Sequence, residues 1–192
     1  LYEDGIIEPS NSAWSSPVMV IKKPNGGHRC VIDLRGVNAV CKMMRYPLGH
    51  IQDLLDMVAP PVGQKRWMST LDLRSGFWAV EVKEEHRNKL AFHTTNSGWR
   101  FVRMPMGLAC SPPIWAELMR RCLAPVLMGG VATRNPQGEN GGALPPTSQL
   151  PQPRQCVVVY MDDLCVVSPD LETHLQDLET VFNLLRLAGL RV

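Results

Sequence analysis

The stretch Tyr160-Met161-Asp162-Asp163 places two adjacent carboxylates between two apolar runs, residues 156–159 and 164–167. Two such runs joined by a short polar turn predict a β-hairpin with the acids at its tip. Because side chains alternate between the faces of a strand, a tight turn is needed to aim both acids at one site. Mg²⁺ is held in proteins by one or two carboxylates together with substrate phosphates. The stretch therefore favours phosphoryl-transfer chemistry.

The same pair of acids has a simpler interpretation as a polar turn. Aspartate is common in turns because its side chain hydrogen-bonds the nearby backbone. Short motifs of this kind also occur by chance. The Asp162-Asp163 pair alone leaves both interpretations open, so the rest of the chain must decide.

Composition indicates a soluble globular protein of one domain or two packed lobes. The chain has 192 residues, of which 45% are hydrophobic and 20% charged, and no apolar run is as long as a membrane span. We therefore expect no membrane partner, and we expect an intracellular rather than a secreted protein, because no signal peptide is recognisable. The six cysteines show no C-x-x-C spacing, which gives little support to a zinc site or a disulfide framework.

Positive charge is concentrated in the first half of the chain. Residues 1–103 hold fourteen Lys and Arg against ten Asp and Glu, whereas residues 104–192 hold six against eight. This distribution favours the first half as the side that faces phosphates, although a solvated surface explains so small an excess as well.

A second hairpin is predicted near the start of the chain, with strands at 17–23 and 28–33 around a Pro-Asn-Gly-Gly turn. Lys23 and Arg29 flank its tip, where two cations can close on a phosphate chain. They can equally keep an edge hairpin soluble. A separate strand at 67–73 carries Asp72 to its end, which adds a carboxylate at a strand terminus.

Three further elements follow from hydrophobic periodicity. Residues 51–58 predict a short helix, and residues 92–95 and 99–102 predict a hairpin. Ser111 and Pro112 are typical of a helix start, with Trp115, Leu118, Met119 and Cys122 as a core stripe. A last helix is predicted to begin at Ser168-Pro169 and end at Gly189, with one buried face made of Leu171, Leu175, Leu178, Phe182 and Leu185.

Residues 128–155 differ from the rest of the chain. They contain many Pro, Gly and small polar residues and show neither helical nor strand periodicity. We predict a disordered insertion, which a folded domain tolerates because loop-closure entropy grows slowly with loop length.

Asp72, Asp162 and Asp163 together give three carboxylates at predicted strand ends. Such a set suits two divalent ions that clamp an in-line displacement at phosphorus. The cationic hairpin would neutralise a triphosphate as it enters the site.

The chain resembles reverse transcriptases through three motifs in the expected order. Leu71-Asp72-Leu73-Arg74-Ser75-Gly76-Phe77 is similar to their first polymerase motif, residues 104–112 (MPMGLACSP) to the second, and Tyr160-Met161-Asp162-Asp163 to the third. Four further segments of the chain resemble the fingers of gypsy-type long-terminal-repeat retrotransposons. These segments are residues 5–10, 14–17, 31–38 and 46–48. Several weak motifs in the correct order are stronger evidence than any one of them.

The resemblance implies an α+β right-hand polymerase fold, in which the palm has an antiparallel sheet with packed helices. We expect fingers at about 1–43 and 80–110, palm at about 44–79 and 111–192, and no thumb within these residues. The function implied is RNA-directed DNA polymerase, a nucleotidyltransferase that adds deoxynucleotides to a primer 3′-hydroxyl. The partners implied are an RNA or DNA template with its primer, deoxynucleoside triphosphates, and the thumb and ribonuclease H of a retroelement polyprotein.

The resemblance also assigns roles to individual residues. The catalytic and metal-binding residues would be Asp72, Asp162 and Asp163, with two Mg²⁺ ions, or Mn²⁺, as cofactors. The residues expected to bind the incoming nucleotide are Lys23, Arg29, Leu73, Ser75, Gly76, Phe77 and Met106, with Phe77 as the ring that excludes a ribose 2′-hydroxyl. The residues expected at template or primer are Gly107, Pro112, Tyr160 and Met161.

Two alternatives remain open at this stage. A retroelement remnant would fold and bind nucleic acid without turnover, which the insertion at 128–155 favours. Another two-metal phosphoryl-transfer enzyme, such as a nuclease, would account for the carboxylates but not for Phe77 or the ordered motifs.

Overall fold

The computed structural model describes residues 1–22, 26–42, 50–128 and 154–192 of the chain. The chain divides into two units, each with dense internal contacts. The first unit comprises residues 1–45 and 75–115, and the second comprises residues 46–74 and 116–192. The strand pairs within the described sheets are antiparallel, and helices are interspersed among them, which confirms the predicted α+β class. The assignment of the units to fingers and palm stays a prediction.

The described elements include those predicted, in the predicted order, and add a strand at Ile7–Pro9 and helices at Arg35–Val40 and Glu84–Arg87. The strands are β1 (Ile7–Pro9), β2 (Val18–Lys22), β3 (His28–Ile32), β4 (Trp67–Asp72), β5 (Ala91–His93), β6 (Gly98–Phe101), β7 (Val157–Tyr160) and β8 (Asp163–Ser168). The α-helices are α1 (Arg35–Val40), α2 (Ile51–Val58), α3 (Glu84–Arg87), α4 (Ser111–Cys122) and α5 (Leu171–Leu187), with 3₁₀ turns at Gly76–Ala79 and Asn88–Leu90. No helix among the described residues is long and apolar enough to cross a membrane.

The first unit contains a three-stranded sheet in the order β1-β6-β5 and the separate hairpin β2-β3. Both hairpins predicted in this region are confirmed, because β2 pairs with β3 and β5 pairs with β6. The buried core includes Ile32 at the end of β3, Leu34 just before α1, Phe92 and Phe101 from the sheet, and Leu108. Burial of these apolar side chains stabilises the unit.

An ionic cluster ties β1 and β6 to α3. The guanidinium of Arg100 lies 2.7 Å from Glu8 and 2.6 Å from Glu84. That of Arg87 lies 2.6 Å from Glu84 and 2.8 Å from Glu81. Because Arg87 and Arg100 are mostly buried and share acids, their contribution exceeds that of an isolated surface pair.

The second unit is built on the sheet β4-β8-β7. The β4–β8 ladder runs in unbroken register from Trp67 opposite Ser168 to Asp72 opposite Asp163. Helix α5 packs against β8 and β4, whereas Val58 of α2 belongs to a core cluster with Val158 and Val167. The sheet is therefore held through helices as well as through its own hydrogen bonds.

Buried polar groups connect α5 to both strands of this ladder. His174 contacts the hydroxyl of Ser69 through Nε2 at 2.8 Å and that of Ser168 through Nδ1 at 3.0 Å. The Ser168 hydroxyl donates to Asp177 Oδ2 at 2.6 Å, and Arg154 donates to the same oxygen. We call these five residues the α5 network; the burial of His174, Ser168 and Asp177 is compensated because each has hydrogen-bond partners.

The buried face predicted for the last helix is wrong. The buried side chains of α5 are His174, Asp177, Val181, Leu184 and Leu185. Of the predicted face, Leu171, Leu175 and Phe182 are exposed, and only Leu185 is buried. His174 and Asp177 face inward because their hydrogen-bond partners lie on β4, on β8 and in the chain before β7. The helix also begins later than predicted, because Asp170 caps it by accepting from the Thr173 amide at 2.8 Å.

The predicted insertion falls mainly on residues 129–153, which lie outside the described residues. The chain on either side of them is held against the second unit. The amide of Met128 donates to the Val157 carbonyl at 2.8 Å, and Arg154 donates to the Val167 carbonyl at 3.1 Å. Both junctions therefore belong to the folded unit.

The observed orientation of α5 can be tested with two matched leucine substitutions. Leu184 is 5% exposed and Leu175 is 59% exposed. Leu184→Ala should lower the free energy of unfolding by about 2–5 kcal/mol because it leaves a cavity, whereas Leu175→Ala should change it by less than about 0.5 kcal/mol. Urea unfolding at constant m-value measures both, and a larger loss for Leu175→Ala would contradict the observed face.

Candidate functional site

The three predicted acids lie together at one end of the β4–β8–β7 sheet. Asp72 is the last residue of β4 and pairs with Asp163, the first residue of β8. Asp163 also pairs with Tyr160, the last residue of β7, so Met161 and Asp162 form a two-residue turn. Directly paired residues point to the same face of a sheet, with Cβ atoms about 5 Å apart. The predicted acidic hairpin is confirmed.

The turn itself adopts an uncommon backbone conformation. Met161 has a φ of 53°, in the left-handed region that non-glycine residues rarely occupy. Positive φ in a two-residue hairpin turn matches the twist of the flanking strands. The left-handed conformation of Met161 thus allows β7 and β8 to be joined by only two residues.

The folded structure disfavours the ionised form of Asp162. Burial, followed by the charges of Asp72 and Asp163, raises the pKa of Asp162 above its ordinary value. Its Oδ1 atom is buried and has no hydrogen-bond partner in the described parts of the chain. A buried carboxylate oxygen without a donor is costly, so this position favours a positive ligand.

The donor set fits a hard divalent cation that also binds a substrate. Carboxylate oxygens are the ligands that Mg²⁺ prefers, and Asp162 Oδ1 is available for such a contact. Among residues 1–22, 26–42, 50–128 and 154–192, however, no three His, Cys, Asp or Glu side chains are grouped so as to hold an ion by themselves. Mg²⁺ commonly completes its coordination with water and substrate phosphates, so the acids need supply only part of it.

Residues expected around the nucleotide include the turn that follows Asp72 in the chain. Leu73 is buried in the second unit, which leaves its backbone as the part that can line a pocket. The first unit resumes at Ser75, whose φ is 56°, and continues in the 3₁₀ turn Gly76–Ala79. Glycine is required at position 76, since a Cβ there would lie 2.7 Å from the ring of Trp115.

Phe77 is held by the same tryptophan. Its ring meets Trp115 edge-on, with centroids 5.9 Å apart and an interplanar angle of 82°. Trp115 is only 1% exposed, whereas Phe77 is half-buried. The aromatic contact therefore fixes one side of the Phe77 ring and leaves part of it accessible.

The second motif forms a closed loop that ends at α4. Ser111 is the first helical residue, and its hydroxyl donates to the Pro105 carbonyl at 3.1 Å. The Ser111 amide donates to the Leu108 carbonyl at 3.0 Å. Gly107 has a φ of 88°, Met106 before it is 44% exposed, and Pro112 is half-buried in the first turn of α4.

Sequence analysis did not identify Asn38 as part of this arrangement. Its carboxamide donates to the Gly107 carbonyl at 2.9 Å and accepts from the Ala109 amide at 2.8 Å. Asn38 lies in one of the stretches that carry the resemblance, but no local pattern indicates a contact with a loop about 70 residues later.

The remaining predicted residues differ in how far the structure describes them. Tyr160 and Met161 are 37% and 42% exposed at the acidic hairpin. Lys23 lies outside the described residues, and Arg29 is described only in its backbone, which pairs with Ile21 in the β2–β3 hairpin. The structure thus brings the three acids together with Tyr160 and Met161 in one unit. The first unit holds Ser75, Gly76, Phe77, Met106, Gly107 and Pro112.

The raised pKa of Asp162 predicts a distinctive dependence of stability on pH. The folded chain binds the Asp162 proton more tightly than the unfolded chain, so its ionisation costs stability as the pH rises from about 4 through the raised pKa. At pH 7 without divalent ions, Asp162→Asn should therefore be more stable than the parent, and this advantage should vanish near pH 4. Thermal unfolding across this pH range measures the difference.

Divalent cations should make the parent more stable than Asp162→Asn at pH 7, the reverse of the order expected without them. At ten times its dissociation constant, Mg²⁺ or Mn²⁺ should stabilise the parent by about 1.4 kcal/mol and leave Asp162→Asn little changed. Asp56→Asn, at an exposed acid of α2, serves as the control and should show neither effect. Equal responses of all three proteins to pH and metal would refute the assignment.

Comparison with known proteins identifies relatives of the chain. A family model described as reverse transcriptase (RNA-dependent DNA polymerase) matches residues 21–192. The Pol polyproteins of the Drosophila melanogaster transposons opus, 412 and gypsy are 32%, 31% and 29% identical to the chain over its whole length. The chain spans only 17%, 14% and 16% of these relatives.

Solved structures show the same fold. The native prototype foamy virus protease-reverse transcriptase matches 99% of the chain with a TM-score of 0.73 and 28% identity, over 21% of that protein. A foamy viral protease-reverse transcriptase in complex with double-stranded DNA matches 99% with a TM-score of 0.76 and 25% identity, over 33% of that protein. The predicted polymerase fold is confirmed, and the chain belongs to the reverse transcriptase (RNA-dependent DNA polymerase) family.

Proposed function

We propose that the chain is the fingers and palm of an RNA-directed DNA polymerase that adds deoxynucleotides to a primer 3′-hydroxyl. The observation that carries the proposal is the pairing of Asp72 with Asp163 beside Asp162, whose buried Oδ1 has no partner in the described residues. The fingers of this proposal, at about 1–43 and 80–110, lie within the first unit, whereas the palm, at about 44–79 and 111–192, comprises the second unit and small parts of the first.

Asp72 and Asp162 would hold two Mg²⁺ ions, with Asp163 as the third carboxylate; Mn²⁺ would also suit this donor set. Divalent ions at such a site supply activation of the attacking hydroxyl and stabilisation of the leaving pyrophosphate. Asp72 and Asp163 lie opposite each other in a strand ladder, which sets the positions of their backbones before the substrate binds. This preorganisation lowers the barrier because little rearrangement is needed in the transition state.

Several of the predicted residues would handle the incoming deoxynucleoside triphosphate. Lys23 and Arg29 would neutralise its phosphates, and the backbone from Leu73 to Gly76 would line its pocket. Phe77 would exclude a ribose 2′-hydroxyl by steric clash, since its ring is backed by the buried Trp115 and cannot retreat without disturbing that contact.

A base-paired primer and template, of RNA or DNA, would be the second substrate. Support comes from the foamy viral protein described in complex with double-stranded DNA, which shares this fold. Tyr160 and Met161 would contact the primer end, and Met106, Gly107 and Pro112 would contact nucleotide and template. The thumb and ribonuclease H of a longer polyprotein would complete the grip on the duplex.

Primer extension tests the role of the acids. Asp162→Asn should reduce incorporation by about 10²-fold or more, the size of loss seen when one transition-state charge stabiliser is removed. The assay should use the chain alone and a longer protein that carries a thumb after residue 192. Asp56→Asn controls for loss of a carboxylate elsewhere in the same unit and should extend primers normally.

The outcomes of this assay separate the proposal from its alternatives. An Asp162→Asn protein as active as the parent would refute the mechanism. Salt-dependent binding of a primer–template without extension, even with a thumb, would favour a remnant that binds nucleic acid without turnover. Cleavage of nucleic acid without polymerisation would favour a nuclease.

Sugar selectivity tests the role of Phe77. Phe77→Ala should lower the preference for deoxynucleotides over ribonucleotides by about tenfold or more, because the steric barrier is removed. Phe77→Tyr keeps the ring and should retain the preference. Phe182→Ala, at an exposed phenylalanine of α5, controls for the loss of an aromatic side chain. Unchanged selectivity in Phe77→Ala, measured as the ratio of kcat/KM values, would refute the role.

A further inference from the structure

The loop between β6 and α4 has no regular secondary structure over residues 104–110 but is well supported within the first unit. Its amide and carbonyl groups bond at both ends, from Met104 N to the Val80 carbonyl at 2.8 Å and from Ser111 to Pro105 and Leu108. The middle of the loop receives its support from a side chain, the carboxamide of Asn38.

The carboxamide of Asn38 suits this position because it is a donor and an acceptor at once. Its Nδ2 donates to the Gly107 carbonyl, and its Oδ1 accepts from the Ala109 amide. These two backbone groups flank Leu108, so one side chain spans the segment that follows the left-handed turn at Gly107. Aspartate could make only the second bond, and alanine neither.

Both sides of this contact, α1 and the loop, are anchored to the buried core of the first unit. The Asn38 amide donates to the carbonyl of Leu34 at 2.8 Å at the start of α1, and Leu34 is 2% exposed. Leu108, between the two bonded groups of the loop, belongs to the same core cluster. Because neither support is a flexible surface side chain, the two hydrogen bonds set the loop backbone in a single arrangement.

We propose that Asn38 is a positioning residue that sets the backbone of residues 106–109 for contact with the incoming nucleotide and template. The inference rests on the proposed function, since it assigns to Asn38 the placement of Met106 and Gly107 rather than any contact of its own. The side chain of Met106 is 44% exposed immediately before the supported segment, so a shift of this backbone moves it directly.

Primer extension with varied deoxynucleotide concentration tests the inference. Asn38→Ala removes both bonds and should raise KM for the nucleotide about three- to tenfold, with kcat changed less than about twofold, because ground-state and transition-state binding are lost together. Asn38→Asp removes only the bond to Gly107 and should raise KM to a smaller extent. Asn88→Ala removes the carboxamide that accepts from Arg100 in the same unit and should leave KM unchanged.

Hydrogen exchange at the Ala109 amide gives a readout independent of activity. The parent and Asn38→Asp should protect this amide, whereas Asn38→Ala should lose the protection. Absence of protection in the parent, or loss of protection with an unchanged KM, would overturn the inference, as would a fall in thermal stability without any change in KM. If the parent fails to extend primers at all, the proposed function fails first and this role of Asn38 fails with it.

Discussion

The structure of the second unit depends on the antiparallel pairing of β4 with β8. Its register runs over six residue pairs and ends with Asp72 opposite Asp163. Because side chains alternate between the two faces of a strand, a slip of one residue would move Asp72 to the opposite face and separate it from Asp163. The relative position of Asp72 and Asp163 therefore depends on the register of this ladder.

Hydrogen bonds of the α5 network resist such a slip. His174 contacts Ser69 of β4 and Ser168 of β8 at the same time, so a shift of either strand breaks one of the two contacts. Asp177 fixes the Ser168 hydroxyl, and Arg154 holds Asp177 from the chain that leads into β7. Buried polar groups of this kind specify one arrangement, because any other leaves them unsatisfied. The helix, the ladder and the chain after residue 153 are thus coupled.

Local patterns in the sequence predicted most of the strands and helices, including the strand that carries Asp72 and the acidic hairpin, but not β1, α1 or α3. They did not predict the orientation of α5, because its leucines cover more of its circumference than one face and the deciding residues, His174 and Asp177, are polar. Their partners are distant in sequence, since Ser69 and His174 are separated by 105 positions. The contact of Asn38 with Gly107, over 69 residues, escaped prediction for the same reason. Periodicity reports burial of apolar residues but not which distant polar groups meet.

The two ends of the β4–β8 ladder differ in how their polar groups are satisfied. At one end, the buried members of the α5 network, Ser168, His174 and Asp177, all have hydrogen-bond partners. At the other, three acids are gathered, Asp162 Oδ1 lacks a partner within the described chain, and Met161 occupies a left-handed conformation. Local rules of folding are commonly broken at functional sites and kept elsewhere. Since the same pair of strands keeps these rules at one end and breaks them at the other, the cost is localised where a charged ligand can compensate it.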